Sequence, residues 1–465
     1  MKINDIQVTG LTQDSRQVRP GWAFFAIKGR DQDGTKYISD ATARGAAIIV
    51  TDENYKGPSF KVPDIRKFLT ECAIEFFSPL PENIIAVTGT SGKTSVTHFC
   101  KYILENLGKD VATIGTFGLV HRGMTVEMDQ GATTPNPVQL CHVLSILKRQ
   151  GCEYVVIEAT SQAMAQDRMT GIHVKAAGFT NLSRDHISDR EHKDMDDYFA
   201  AKKKLFSVVL AKDGTAILNA DSDWFHGFDG LDRKVVSYGK TGKNIILLDS
   251  RLEGDQQIVT LAINGQIYSY SIAAKGNYQV YNSMCAIGMV MGLGFDATDV
   301  IKATNGAQAS PGRLQYVGTT KTGGQVYLDY AHTYNQVVNV LTAARGFCKG
   351  RLVTVAAASG ERGMDRRIGM GKANHEMADV VYVTDDSPRS ESAEQIRADV
   401  IKACPSAIEV PGRGQAIARA MADLQDGDIL VILNKGHETF VQYGQKMLPW
   451  SDTEEVLKNL QALQS

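Results

Sequence analysis

The sequence predicts an α/β protein of three domains, with parallel sheets in its central and C-terminal parts. Three observations carry this expectation. An apolar run of buried-strand type at 84–87 leads into a Gly-rich loop and a helix. Further strand-like runs alternate with helical segments, first over 155–179 and again after Pro311, the rhythm of a parallel sheet with crossover helices. The chain has 465 residues, and domains of ~100–200 residues make three the central expectation.

The elements follow in order. Residues 1–77 hold short strand-like pieces at 22–27 and 46–50 and a turn signal at Asp33-Gly34. A short polar break at 79–83 precedes the strand at 84–87, and a helix is predicted over 94–107. Buried strands are predicted at 155–157 and 176–179. Residues 244–272 break the rhythm: runs at 245–248, 257–263 and 267–272 read as a small antiparallel insertion, with Asn264-Gly265 as a tight hairpin turn. The second α/β series has strands at 326–330, 352–356, 380–384 and 429–433. The expected domains are therefore 1–78, 79–309 and 310–465.

Composition narrows the function classes. Hydrophobic residues make up 43 % and charged residues 22 %, which excludes disorder, collagen and coiled coil. Fifty basic against 52 acidic residues give a net charge of −2, so no global footprint for nucleic acid exists and an anionic ligand must be held locally. No run approaches ~18 apolar residues, so no transmembrane helix and no membrane partner is expected. Met1-Lys2-Ile3-Asn4-Asp5 opens no apolar signal segment. Seven scattered Cys without a CxxC pair predict neither a disulfide framework nor a zinc site, and fit a cytoplasmic location.

The chemistry begins at Gly89-Thr90-Ser91-Gly92-Lys93-Thr94-Ser95. Backbone N–H groups of such a loop and the following helix N-terminus hold phosphate oxygens. Lys93 is placed to contact the terminal phosphates and Thr94 to ligate Mg²⁺. Val87 stands where the strict Walker pattern has Gly, so the loop is a shorter variant, GTxGKT. Glu158 follows the strand at 155–157, where carboxylates bind Mg²⁺ and where loop acids also sit without a ligand. The segment 181–186 (NLSRDH) is dense in ligand-type side chains at another strand end. The helix at 198–206 carries Lys202, Lys203 and Lys204, which by composition alone read as a solvated face. The loop at 133–137 (TTPNP) is rich in hydroxyls.

Taken together and in this order, these pieces resemble the Mur ligases, in particular the type that adds the third amino acid of the peptidoglycan stem. The resemblance covers nearly the whole chain: 11–16 (LTQDSR), 29–38 (GRDQDGTKYI), GTSGKTS, TTPNP, 158–168 (EATSQAMAQDR), TNLSRDH and YFAAK, then 311–313 (PGR), 328–333 (LDYAHT), 359–367 (SGERGMDRR), 386–389 (DSPR) and 435–438 (KGHE). It implies a small α/β uridine-binding domain, a P-loop ATPase-like central domain and a Rossmann-like C-terminal domain. It implies a largely monomeric enzyme using ATP and Mg²⁺, with a UDP-N-acetylmuramoyl dipeptide and a diamino acid as partners in peptidoglycan biosynthesis. ATP would phosphorylate the dipeptide carboxylate, and the amine of the incoming amino acid would attack the acyl phosphate.

The resemblance also assigns residues. Lys93, Lys202, His186 and Glu158 match the catalytic positions, and Thr94, Glu158, His186 and Lys202 the metal site. Lys202 matches a lysine that is carbamylated in these enzymes, which reverses the solvated-face reading for Lys202 but not for Lys203 or Lys204. Ser15, Thr133, Thr134, Thr160, Gln166 and Arg168 match contacts to the UDP-substrate. Asn282, Arg313, Asp329 and His332 join the loop 89–95 as ATP contacts, although a satisfied strand-end pair is the simpler reading of Asp329 and His332. Arg362, Asp386, Ser387, Arg389, Asn434 and Glu438 match the amino-acid pocket. Arg389 argues for a side chain ending in its own carboxylate, hence meso-diaminopimelate.

The sequence departs from the family pattern at several positions. Ser387 replaces an Asn, Asn434 a Gly, Gln162 a His and Gln279 an Asn. Tyr334-Asn335 replaces Pro-Asp, and 187–192 (ISDREH) lacks the usual Leu-Asp-x-His-Gly. L-lysine or another diamino acid, another amide ligase of the Mur or folylpolyglutamate-synthase type, and a non-catalytic nucleotide-binding protein remain open alternatives.

Overall fold

The computed structural model describes residues 1–29, 32–55, 59–128, 132–185, 187 and 191–462. The chain divides into two compact units. One comprises Met1–Leu247, Leu261–Tyr268 and Asn282–Thr304; the other comprises Leu248–Thr260, Ser269–Tyr281 and Asn305–Ser465. The division runs through the segment read from sequence as an insertion, because all three of its strands, Ile245–Glu253, Gln256–Ile263 and Gln266–Ala273, contain its cut points.

The first unit starts with a four-stranded parallel sheet: Gly10–Thr12, Trp22–Phe25, Ile48–Thr51 and Phe60–Lys61, in that order. Side chains alternate along a strand. Ala23 and Phe25 therefore enter the large core of the unit, while Phe24 and Ala26 form a small cluster with Val18, Ile38 and Ile49 on the other face. Helix Ile65–Phe77, capped by Asp64 on Arg66 N and Lys67 N, carries Leu69 and Cys72 into the large core, and Thr70 Oγ1 donates to Asp167 O at 2.9 Å.

The central sheet places the site. Strands Val111–Gly115, Tyr154–Glu158, Asn83–Thr88, Val174–Phe179, Leu210–Asn219 and Lys234–Gly239 run side by side and parallel. The apolar runs read from sequence lie here, with every side chain from Ile84 to Val87 and from Val155 to Ile157 buried. Asn83–Thr88 lies between two later strands, so the chain order reverses beside it. In open α/β sheets ligands bind outside the carboxyl ends at such a switch point. Glu158 is level with Val87, and Phe179 with Thr88, so three strand ends open onto one place. The predicted helix is Lys93–Asn106.

One expectation needs correction. The first strand of the supposed insertion pairs in parallel with Lys234–Gly239, at Tyr238↔Ile245 and Gly239↔Ile246, and so continues the central sheet. The Asn264-Gly265 turn is as expected, with φ of 49° and 87° at the two central residues.

In the second unit Gln325–Leu328, Ile429–Ile432, Leu352–Ala356, Val380–Val383 and Ile408–Glu409 form a parallel sheet, with Gln315–Thr319 antiparallel at its edge. Helices cover both faces: Val337, Leu341, Met370 and Val400 pack on one side, and Ala416, Ile417, Ala420 and Val456 on the other. The four predicted central strands are present. The edge strands lack a continuous apolar run, so the sequence pattern does not mark them. Among the described residues no helix is long and apolar enough to cross a membrane.

Candidate active site

The loop 89–92 needs its glycines. Gly92 has φ of 90°, and a Cβ there would lie 2.4 Å from Asn282 Oδ1; a Cβ on Gly89 would lie 1.9 Å from Thr180 Oγ1. Asn282, expected as an ATP contact, thus buttresses the loop. Thr180 and Asn181 brace it from the neighbouring strand end. Asn181 Oδ1 accepts Ser91 N (3.0 Å), and Thr180 Oγ1 and Asn181 Nδ2 donate to Ser91 O (2.6 and 3.1 Å). Thr90 Oγ1 lies 3.2 Å from Tyr198 OH. Lys93 Nζ donates to Gly89 O (2.8 Å) and Thr90 O (3.2 Å).

Thr94 and Glu158 are in direct contact. Thr94 Oγ1 donates to Glu158 Oε2 at 3.0 Å, and Thr116 reaches the same carboxylate through its N–H (2.9 Å) and its hydroxyl (3.1 Å). Glu158 is 1 % exposed. Hard oxygen donors of this kind suit Mg²⁺. Lys202 is also 1 % exposed, and its Nζ donates to Gly89 O at 2.9 Å. Burial, reinforced by the nearby Lys93 ammonium, holds the Lys202 amine well below the usual lysine range. Lys203 and Lys204 instead reach Gly227 O and Asp167. The solvated-face reading was therefore wrong for Lys202 alone. Ser95 is buried on the helix Lys93–Asn106 that follows the loop.

Beside Glu158 lies a hydroxyl-lined patch. Thr134 Oγ1 donates to Glu158 O (2.7 Å) and lies 3.0 Å from Thr160 Oγ1, with Thr133 half-buried next to it. Arg168 donates to Thr134 O and, through two nitrogens, to Gln166 Oε1. Burial and the proximity of Arg66 both act against the Arg168 charge, an arrangement that an anion would relieve. Ser15 is buried in the N-terminal sheet domain and hydrogen-bonds the Asp40 carboxylate. Gln162 is exposed. His186 lies outside the described residues.

His192 was not singled out from sequence. Its Nε2 lies 3.0 Å from Ser161 Oγ and its Nδ1 3.2 Å from Asp197 Oδ2, and its ring centroid is 5.0 Å from that of Tyr198. Lys202 Nζ sits 4.4 Å from the Tyr198 ring centroid. His192 therefore ties the segment after Glu158 to the helix that carries Lys202. Only the two-residue shift of this histidine from the family spacing hinted at it.

The second unit holds the remaining predicted residues at strand ends. Asp329 accepts Leu314 N (2.6 Å) and Ala331 N (2.7 Å), and burial lifts its carboxyl to about 6 despite Arg313. Arg313 lies 4.9 Å from the Tyr330 ring centroid, and His332 Nδ1 is 2.8 Å from Tyr330 O.

The predicted amino-acid pocket is organised by Lys435, which has no exposed surface. Its Nζ lies 2.9 Å from Asp386 Oδ1, 2.8 Å from Glu438 Oε2, 2.9 Å from Ser387 Oγ and 2.9 Å from Phe440 O. Burial would raise the Asp386 carboxyl, but Lys435 and Arg413 outweigh it and hold it below the usual range. Ser387 Oγ also accepts Gln442 N (3.1 Å), and Asn434 Oδ1 accepts Ala357 N (3.0 Å). The Ser387 hydroxyl and the Asn434 side-chain oxygen therefore serve the protein itself. Asn434 has φ of 81°, a left-handed conformation that Asn tolerates best after Gly. Arg389 lies on the same loop as Asp386, and Arg362 is exposed. Lys435→Met would leave Asp386 buried without its cation and is expected to cost about 3 kcal/mol of stability. Urea unfolding measures this, and a loss below about 1 kcal/mol would show that Arg413 suffices.

Comparisons with known proteins identify the family. The description "Mur ligase family, catalytic domain" matches residues 7–74, "Mur ligase middle domain" 87–290, and "Mur ligase, glutamate ligase domain" 312–436. A UDP-N-acetylmuramoyl-L-alanyl-D-glutamate–2,6-diaminopimelate ligase from Agrobacterium fabrum is 38 % identical over 470 residues, spanning 100 % of this chain and 95 % of that protein. The chain belongs to the Mur ligase family. It is an ATP-dependent, amide-forming ligase with the three-domain fold of that family. The ligase of the same name from Rhizobium meliloti is also 38 % identical, over 98 % of this chain and 95 % of its own length. A solved structure of a ligase of that name has 26 % identity and a TM-score of 0.71, covering 98 % of this Mur ligase and 96 % of its own chain.

Proposed function

We propose that this Mur ligase joins meso-diaminopimelate to UDP-N-acetylmuramoyl-L-Ala-D-Glu, with ATP and Mg²⁺, through an acyl phosphate. The observation that carries the amino-acid assignment is Arg389, an arginine at the edge of a pocket whose carboxylates, Asp386 and Glu438, are both engaged by Lys435. A guanidinium there favours a side chain ending in its own carboxylate and disfavours the ammonium of lysine. In this reading residues 1–78 hold the uridine end, 79–309 the ATP and 310–465 the amino acid. The enzyme acts as a cytoplasmic monomer.

The chemistry follows from placement. Phosphoryl transfer leaves little covalent work to the protein, so positioning and charge neutralisation carry the rate. Loop N–H groups and Lys93 hold the triphosphate. Thr134, Thr160, Gln166 and Arg168 hold the UDP-substrate so that its terminal carboxylate meets the γ-phosphorus. Thr94 and Glu158 would hold Mg²⁺, with His186 and a carbamylated Lys202 as further ligands. The metal supplies neutralisation of the charge that develops on the transferring oxygens. The amine then attacks the acyl carbon, and inorganic phosphate leaves with the C–O electron pair.

Phosphate release with meso-diaminopimelate, L-lysine, L-ornithine or no amino acid tests the assignment. Release only with meso-diaminopimelate is expected; release with L-lysine alone would overturn the specificity. Arg389→Ala is expected to raise KM for the amino acid by about a hundredfold while leaving KM for ATP unchanged, the cost of a lost charge-assisted pair. A raised KM for ATP instead would place Arg389 in another site.

A further inference from the structure

We propose that Glu361 is a specificity-determining residue, its carboxylate receiving the distal ammonium of the amino-acid substrate while Arg389 receives the distal carboxylate. The role rests on the ligase reading above.

An amino-acid centre presents an ammonium and a carboxylate two bonds apart. Its receptor needs an anion and a cation side by side that do not saturate each other. Glu361 and Arg389 meet this description. Glu361 Oε2 lies 3.7 Å from Arg389 Nη1, within ion-pair range but beyond a hydrogen bond. The other oxygen of Glu361 is engaged by Ser390, through its hydroxyl at 2.7 Å and its N–H at 3.4 Å. Oε2 is thus directed to the arginine and retains acceptor capacity. On the arginine, Nε is buried and has no hydrogen-bond partner among the described residues, a donor that calls for an acceptor from a ligand. The side chains are 49 % and 28 % exposed, so a ligand can reach both. The Ser390 hydrogen bonds keep the Glu361 carboxyl below its usual range, so it is anionic at neutral pH.

The backbone supports the same reading. Glu361 and Arg389 have φ of 59° and 55°, left-handed conformations unusual for such side chains. Both are pinned: Glu391 accepts Glu361 N, while Arg389 N donates to Gln442 O (3.1 Å) and Arg389 O accepts Gly444 N (2.7 Å). The two loops touch where Gly360 N donates to Ser387 O at 2.9 Å, and a Cβ on Gly360 would lie 1.9 Å from Pro388 O. Ser359 Oγ reaches Asp386 from the same turn. The pair therefore belongs to the Asp386 pocket. A surface salt bridge kept for stability alone would contribute about 0–1 kcal/mol and needs no strained backbone.

The test compares wild type, Glu361→Gln and Glu361→Asp with meso-diaminopimelate and with L-2-aminopimelate, which keeps the distal carboxylate and lacks the distal ammonium. Aminopimelate is read as substrate or as competitive inhibitor. Glu361→Gln is expected to raise KM for meso-diaminopimelate about ten- to a hundredfold, the range for a hydrogen bond to a charged group. KM for ATP and the constant for aminopimelate stay unchanged, and Glu361→Asp recovers part of the loss. Equal losses for both amino acids would make Glu361 a mere support for Arg389 and overturn the proposal. A lowered KM for meso-diaminopimelate would make it a competitor for Arg389, and no change would make it a bystander; both overturn it. Failure of the wild type itself with meso-diaminopimelate would overturn the amino-acid reading and this role with it.

Discussion

Lys93→Ala is expected to lower kcat by about a thousandfold, roughly 4 kcal/mol of transition-state stabilisation. Lys93 opens the helix that follows the loop, and its Nζ rests on Gly89 O and Thr90 O. These are loop carbonyls, weaker partners for an ammonium than a phosphate oxygen. A bound triphosphate would draw the ammonium off them. The alanine variant keeps the loop geometry, which the glycines, Thr180 and Asn181 hold. Its thermal unfolding should therefore be close to that of wild type. It also removes the cation that acts against Lys202. Steady-state phosphate release, calorimetric ATP binding and a melting curve check this together. A rate within about threefold of wild type would sink the phosphate-loop assignment.

Lys202→Ala is expected to lower turnover by at least about a hundredfold, and short carboxylic acids such as formate or acetate should restore part of it. The reason is the buried, depressed amine. A lysine at 1 % exposure beside a second ammonium is held neutral far more readily than one in water. The neutral amine is the form that adds CO₂, forming an N–C bond and releasing one proton, and the product is an anion suited to a hard cation. Lys202→Arg keeps the cation and cannot form the carbamate, so it should be as inactive as the alanine variant. Wild type should lose rate in bicarbonate-free buffer. A fully active Lys202→Ala would reduce Lys202 to packing against Tyr198.

The phosphate loop was legible because its function needs residues that are contiguous: two glycines, a lysine and a hydroxyl between a strand and a helix. The central strands were legible for a similar reason, since a strand covered on both faces must be apolar throughout. Lys202 was not legible from composition. Three consecutive lysines look alike, and only the packing of one helix face decides that Lys202 is buried while Lys203 and Lys204 are not. Ser387 and Asn434 read as departures within a pocket; their side-chain oxygens turn out to face Lys435, Gln442 and Ala357. Thr116, His192 and Lys435 were passed over because each has a partner distant in sequence, Glu158, Ser161 and Asp386 respectively. Lys435 stands beside Asp386 only because two strands that end there are brought together by the sheet.

By itself, the sequence determined the fold class, the phosphate loop and the family, since these rest on local patterns and on the order of motifs along the chain. The tertiary structure alone decided which lysine is buried beside a second cation, which carboxylates share Lys435 and which polar side chains stay accessible. Those properties depend on desolvation and on charges brought within a few ångströms by distant segments, and neither quantity is written in the spacing of residues along the chain.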